Sequence, residues 1–156
     1  MRKAFAIALL AAAAAAPASA ATMPYDEAAD AKADIRAALA EAKRAKVPVL
    51  VVFGANWCGD CRALDLSFKS GASAALVAGS FRVVKVNVGR FDRNVDIAES
   101  YGVPLKKGIP AVAVLSQDGQ LLEATRAGEL ADARSMGDSG IHEFFSRIAR
   151  KAGALP

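Results

Sequence analysis

Two cysteines, Cys58 and Cys61, are the only ones in a chain of 156 residues, and they stand at C-x-x-C spacing within Gly54-Ala55-Asn56-Trp57-Cys58-Gly59-Asp60-Cys61-Arg62. A thiolate, not a thiol, is the nucleophile of sulfur chemistry, so the question is what would ionise one of them. Upstream, Val47-Pro48-Val49-Leu50-Val51-Val52-Phe53 is apolar and β-branched and reads as a strand buried on both faces. Downstream, Cys61 to Lys69 reads as a helix, with Leu64 and Phe68 one turn apart. A Cys58 where strand gives way to helix faces unpaired amides and the positive end of the helix dipole, which favour the thiolate. Cys61, one turn on, is then near enough to attack a mixed disulfide on Cys58, the geometry of a two-thiol redox cycle.

Two blander readings compete. In an oxidising compartment a pair of cysteines is usually a structural disulfide. A C-x-x-C bridge, however, closes so short a loop that it constrains the unfolded chain little, and Trp57, Gly59 and the strand-then-helix setting match a redox motif. A zinc site wants four ligands, and the two thiols have only the distant His142 to join them. A soft ion such as copper(I), held by Cys58 and Cys61 with or without His142, is the alternative from a different class. Met23 and Met136 fall in expected loops with no ligand spacing, so no metal residue is assigned.

The first residues set the compartment. Arg2 and Lys3 precede an apolar run from Ala4 to Ala16, and Pro17-Ala18-Ser19-Ala20 supplies the small-residue pattern of a signal-peptidase site. The run is too short and alanine-rich for a membrane anchor, and no cysteine near the cut can take a lipid. The expectation is a signal peptide over 1–20, cleavage after Ala20, and one domain over 21–156 in the periplasm or outside the cell. Cleavage lowers the formal charge of +4 by the two charges of Arg2 and Lys3. No basic cluster with interleaved aromatics remains, so nucleic acid is not an expected partner. The length suits a single core, and a monomer is expected.

The elements that must position the cysteines follow from periodicity. Asp30 to Lys46 reads as a helix, with Ile35, Ala38, Leu39 and Ala42 on one face and an acidic start opposed to a basic finish. Ser67 to Ala72 breaks the pattern, Ser73 to Ala78 forms a short helix, and Phe81 to Val88 is a strand. Asp92 is a candidate N-cap for a helix bearing Val95, Ile97, Ala98 and Tyr101, with Gly102 at its end. Lys106 and Lys107 form a solvated turn before the strand Val112-Ala113-Val114-Leu115, and Gln117-Asp118-Gly119-Gln120 is a hairpin signal that pairs Leu115 with Leu121. Arg126 to Gly140 reads as a long loop without an assigned role. Ser139 or Asp138 then caps a last helix with Ile141, Phe144, Phe145 and Ile148 on one face. Strands separated by helices argue for an α/β fold with a βαβ unit. Phe53, Phe81, Phe144 and Phe145 are expected in the core. Were the Ile109–Pro110 bond cis, it would hold the Ile109 backbone against the redox site, where an extended substrate can pair with it.

Trp57-Cys58-Gly59-Asp60-Cys61 after an apolar strand, followed about fifty residues later by Gly108-Ile109-Pro110 before another, resembles the thioredoxin family. The resemblance runs from about Ile35 to Arg150. Within the family it is nearest to small exported thioredoxin-like proteins and to the thioredoxin-like domain of the bacterial transmembrane disulfide reductase. It implies a thioredoxin fold, a central mixed β-sheet flanked by helices on both faces. It also implies an activity, thiol-disulfide oxidoreductase, with Cys58 as nucleophile, Cys61 as resolving thiol and Pro110 as the cis-proline beside them. Trp57 and Ile109 become the docking surface for disulfide-containing partner proteins. No cofactor is called for, and re-reduction outside the cytoplasm implies a membrane-embedded electron donor. A module that uses the fold only to bind would instead keep its function in Cys58→Ser.

Two positions depart from the family pattern. Val52 stands where many thioredoxins carry a buried carboxylate six positions before the first cysteine, so proton transfer to or from Cys61 needs water or another group. Asp60 stands where reducing thioredoxins have proline. Its charge is expected to disfavour the Cys58 thiolate, with Arg62 offsetting part of that, which points to a reductant rather than a strong oxidant.

Overall fold

The computed structural model describes residues 23–155; the expected signal peptide and its cleavage site lie outside them. The elements are α1 (Ala31–Ala45), β1 (Val49–Gly54), α2 (Gly59–Ser70), α3 (Ser73–Ser80), β2 (Arg82–Asn87), α4 (Val95–Ser100), β3 (Ala111–Leu115), β4 (Leu121–Ala124) and α5 (Ala133–Lys151). A single turn of 3-10 helix, Leu105–Lys107, precedes β3.

β1 is central because its sequence leaves no polar face. All six of its residues are buried, and they alternate: Val49, Val51 and Phe53 enter one apolar cluster, Leu50 and Val52 the other. The sheet order is β2-β1-β3-β4. β2 runs parallel to β1, with Val51 opposite Val84, while β3 is antiparallel to β1 and β4 antiparallel to β3. Parallel neighbours need a crossover, and α2 with α3 supplies it. α1 and α4 cover the first face through Ile35, Ala38, Ala42, Ile97 and Ala98. α2, α3 and α5 cover the second through Leu64, Val77, Ile141, Phe144, Phe145 and Ile148. The result is the thioredoxin fold, a mixed sheet with helices on both faces. The four core phenylalanines are all buried.

Several expectations are corrected. α2 begins at Gly59, so Cys61 lies inside the helix and Cys58 is its N-cap. Asp92 does not cap α4: Asn94 occupies that position in a left-handed conformation, while the Asp92 carboxylate accepts the Arg90 N–H within the preceding turn. The stretch read as a loop to Gly140 turns helical at Ala133, with a kink at Gly137 (φ 63°, ψ 177°) that only glycine adopts readily. Asp138 therefore does not cap the last helix. It accepts hydrogen bonds from Ser67 Oγ (2.6 Å) and the Ala72 N–H (2.6 Å), bracing the junction of α2 and α3. Met136 is likewise helical and packs on the second core cluster.

Candidate active site

β1 ends at Gly54 and α2 begins at Gly59 to run back along the sheet, so Cys58 sits where the strand's direction reverses. Its backbone is extended (φ −78°, ψ 115°), as an N-cap requires, and its Sγ accepts the Cys61 N–H at 3.1 Å. The two cysteines are joined as a disulfide with Cα atoms 5.2 Å apart. Cys58 is 5% exposed and Cys61 1%, which makes Cys58 the sulfur a partner can reach. The Ile109–Pro110 bond is cis, both residues are buried, and the Ile109 carbonyl oxygen stands 3.6 Å from Cys58 Sγ.

Trp57 is held rather than loose. Its Nε1–H donates to the Gly89 carbonyl (2.8 Å), the Phe91 ring meets it edge-on at 6.1 Å, and the Arg90 guanidinium lies 5.5 Å from its ring centre. It nonetheless remains 46% exposed, and Phe91 45%. Beside Phe91 opens a cavity of about 590 Å³ lined by Val95, Val103, Pro104 and Leu105. Phe91 has φ 65°, uncommon for a bulky residue; it turns the aromatic side chain toward Trp57.

Arg62 donates to the Asn56 carbonyl (2.8 Å). The partner of Asp60 is Arg134, from the first turn of α5: its N–H donates at 3.0 Å and its guanidinium through Nε and Nη2 at 3.2 Å each. Burial alone would push the Asp60 carboxyl up, but the side-chain and backbone hydrogen bonds from Arg134, with its charge, hold it below the usual carboxylate range. A Cβ at Gly59 would come within 3.1 Å of the Arg134 guanidinium, so that group lies over the turn between the cysteines. The repulsion expected between Asp60 and a Cys58 thiolate is therefore opposed by Arg134.

Arg134→Ala removes that opposition, and two effects are expected. The unpaired Asp60 carboxylate destabilises the reduced form, moving the reduction potential to more negative values, where a tenfold change in the equilibrium is about 30 mV. The stability effect has a definite pH sense. A carboxyl whose folded pKa is depressed contributes stability above its unfolded value, and that contribution is lost as pH falls through the folded one. The gap in thermal midpoint between the wild type and Arg134→Ala should be widest near neutrality and should close in acid.

Val52 is 1% exposed and packs with Leu64, so no carboxylate occupies its place. One turn beyond Cys61, Asp65 is buried and pairs with Lys69 (2.8 Å) and Lys85, and burial pushes the Lys85 ammonium down. His142 stands on α5 near Asp138. Among the described residues no group of three or more His, Cys, Asp and Glu side chains is disposed to hold a metal ion.

Sequence reasoning missed Arg134, Tyr25 and Asn56. Asn56 clamps the segment before α1 onto the cysteine loop: its Oδ1 accepts the Tyr25 N–H (2.9 Å) and its Nδ2–H₂ donates to the Tyr25 carbonyl (2.8 Å) and to Glu27 Oε1 (3.2 Å). The available signal was an aromatic residue isolated in a polar stretch.

Chemistry and architecture together make this a thiol-disulfide oxidoreductase. A family model described as thioredoxin-like matches residues 30–116, and the chain belongs to that family. It is 35% identical over 91 residues to a thioredoxin of Pseudomonas aeruginosa, covering 58% of this chain and 75% of the relative. To thioredoxin 1 of Chlorobaculum tepidum it is 39% identical over 79 residues, 51% of this chain and 69% of that one. Among solved structures, a disulphide isomerase from Xylella fastidiosa Temecula1 superposes with a TM-score of 0.79 at 52% identity, covering 83% of this chain and 98% of that one. The oxidised C-terminal domain of DsbD from Neisseria meningitidis matches more remotely, with a TM-score of 0.49 at 22% identity over 69% of this chain and 96% of that one.

Proposed function

We propose that this protein is exported and reduces disulfides in partner proteins through the Cys58–Cys61 dithiol. The observation that carries the reading is the placement of Cys58 Sγ as the N-cap acceptor of α2, which stabilises a thiolate at the more accessible of the two sulfurs. That thiolate attacks a partner disulfide. A bond forms from Cys58 to one partner sulfur, and the other leaves with the bonding electron pair and takes up a proton. The Cys61 thiolate then attacks Cys58 Sγ and displaces the second partner sulfur. The partner gains two electrons and the enzyme is left as its disulfide. Trp57 and the backbone at Ile109, beside Pro110, form the docking surface for an extended partner segment.

The reducing direction is supported by what Cys58 lacks. Among the described residues no cation hydrogen-bonds its sulfur: Arg62 donates to Asn56, Arg134 to Asp60, and Arg90 lies over Trp57. The thiolate is left to one helix amide, a modest stabilisation, and a modestly stabilised thiolate goes with a reducing couple. Export rests on the signal-like pattern ending at Ala20, and outside the cytoplasm the oxidised form then calls for a membrane-embedded electron donor.

Following Trp57 fluorescence across a thiol–disulfide series tests the direction. A potential near −270 mV is expected, and one near −120 mV would mark an oxidant and overturn the reading. The Xylella fastidiosa relative, described as a disulphide isomerase, supports a second reading in which the same thiolate reshuffles mispaired disulfides. The two separate in Cys61→Ser. Isomerisation transfers no net electrons and survives the loss of Cys61, whereas reduction stops and leaves partner bound covalently to Cys58.

A further inference from the structure

Cys61 has to lose a proton before it can attack, yet it is 1% exposed, and Val52 stands at the position where many thioredoxins carry a carboxylate. What adjoins its sulfur comes from the other end of the domain. A Cβ added to Gly54 would collide with Tyr25 Oη and lie 2.9 Å from Cys61 Sγ. The hydroxyl and the sulfur are thus neighbours across one bare backbone carbon, and Gly54 is the residue that leaves room for both. Tyr25 is 3% exposed, and its backbone is pinned from both sides by Asn56, two residues before Cys58. Most of its ring serves the core, but a phenylalanine would do that equally well.

We propose that the Tyr25 hydroxyl is the hydrogen-bond donor that stabilises the Cys61 thiolate in the second half of the exchange. The inference rests on the reading of Cys61 as the resolving thiol. The Cys61 proton passes to solvent. Tyr25 keeps its own, since burial pushes the phenol above its ordinary value, and so it acts as a donor to the anion and not as a base. The thiolate's electron pair forms the bond to Cys58 Sγ, and the pair of the Cys58–partner bond leaves on the partner sulfur. Tyr25 is unchanged at the end of the cycle.

The test uses the reduced protein and 5,5′-dithiobis(2-nitrobenzoate) in a stopped-flow instrument. Attack by Cys58 releases one thionitrobenzoate at a rate that rises with reagent concentration. Attack by Cys61 releases the second at a rate that does not. In Tyr25→Phe the first phase should match the wild type and the second should slow roughly tenfold to a hundredfold, the loss expected for one hydrogen bond to a charged atom. A Tyr25→Phe protein whose second phase runs at the wild-type rate, or whose two phases slow alike, overturns the proposal. A wild type that releases only one thionitrobenzoate overturns the resolving role of Cys61 itself, and with it the reductase reading.

Discussion

Cys58→Ser is expected to abolish disulfide reduction outright while leaving the fold in place. Serine puts an oxygen where the sulfur stood, and an alcohol at a helix N-terminus does not ionise near neutral pH, so the one thiol left, Cys61, is buried away from a partner disulfide. The structural part of the position survives. Cys58 is the N-cap of α2 and accepts the Cys61 N–H, and serine is among the best residues for that task. Losing the bridge costs little stability, because a loop between residues three apart adds little constraint to the unfolded chain. Reduction of a disulfide-bonded model protein should fall to background, while the thermal midpoint stays within a few degrees of the reduced wild type. Undiminished function in this variant would mean that the fold works by binding alone. An alanine in its place would confound the result, because it removes the cap together with the nucleophile.

What the sequence made legible is what depends on neighbours close along the chain. Val49 to Phe53 announces a strand with no wet face, and the structure buries all of it at the centre of the sheet. The Asp118-Gly119 turn fixes the β3–β4 hairpin, and Gly119 takes the positive φ the turn demands (84°). Cysteine spacing and the strand-to-helix change located the reactive pair. What stayed hidden is held by contacts between distant residues of weak local preference. Arg134 reaches Asp60 across 74 positions, and in Ala133-Arg134-Ser135-Met136 two apolar residues three apart are too few to announce a helix. That turn is helical because Ala133 and Met136 pack on the second core cluster and the Arg134 N–H finds a carboxylate waiting. Arg62, two positions from Asp60, donates instead to the Asn56 carbonyl, so the partner of Asp60 had to come from far along the chain. Tyr25 escaped notice because its role depends on the absence of a side chain at Gly54, which periodicity does not register.

Phe145→Ala is the substitution expected to cost the most stability. Phe145 is fully buried, and its ring meets two others edge-on: Phe68 of α2 at 4.9 Å and Phe144 of α5 at 5.1 Å. Truncation removes the apolar contacts and leaves a void that helices anchored at both ends cannot close, a loss of about 3–5 kcal/mol. Part of it comes from the aromatic pairs, about 0.5–1.5 kcal/mol each beyond area alone. Against a total of roughly 5–15 kcal/mol for a domain, the midpoint should drop by about 10 °C or more, and denaturant melts should show it as a lower transition concentration at unchanged slope. The chemistry should not follow. The cysteines belong to the cluster on the opposite face of the sheet, so the reduction potential of the folded protein should stay at the wild-type value even as the folded state becomes marginal. Phe145→Leu, which refills most of the space, should recover most of the stability. A loss below about 1 kcal/mol in Phe145→Ala would mean that α5 can settle onto α2 without the ring; α5 would then be a loosely held element, and its hold on Asp60 through Arg134 would have to be judged accordingly.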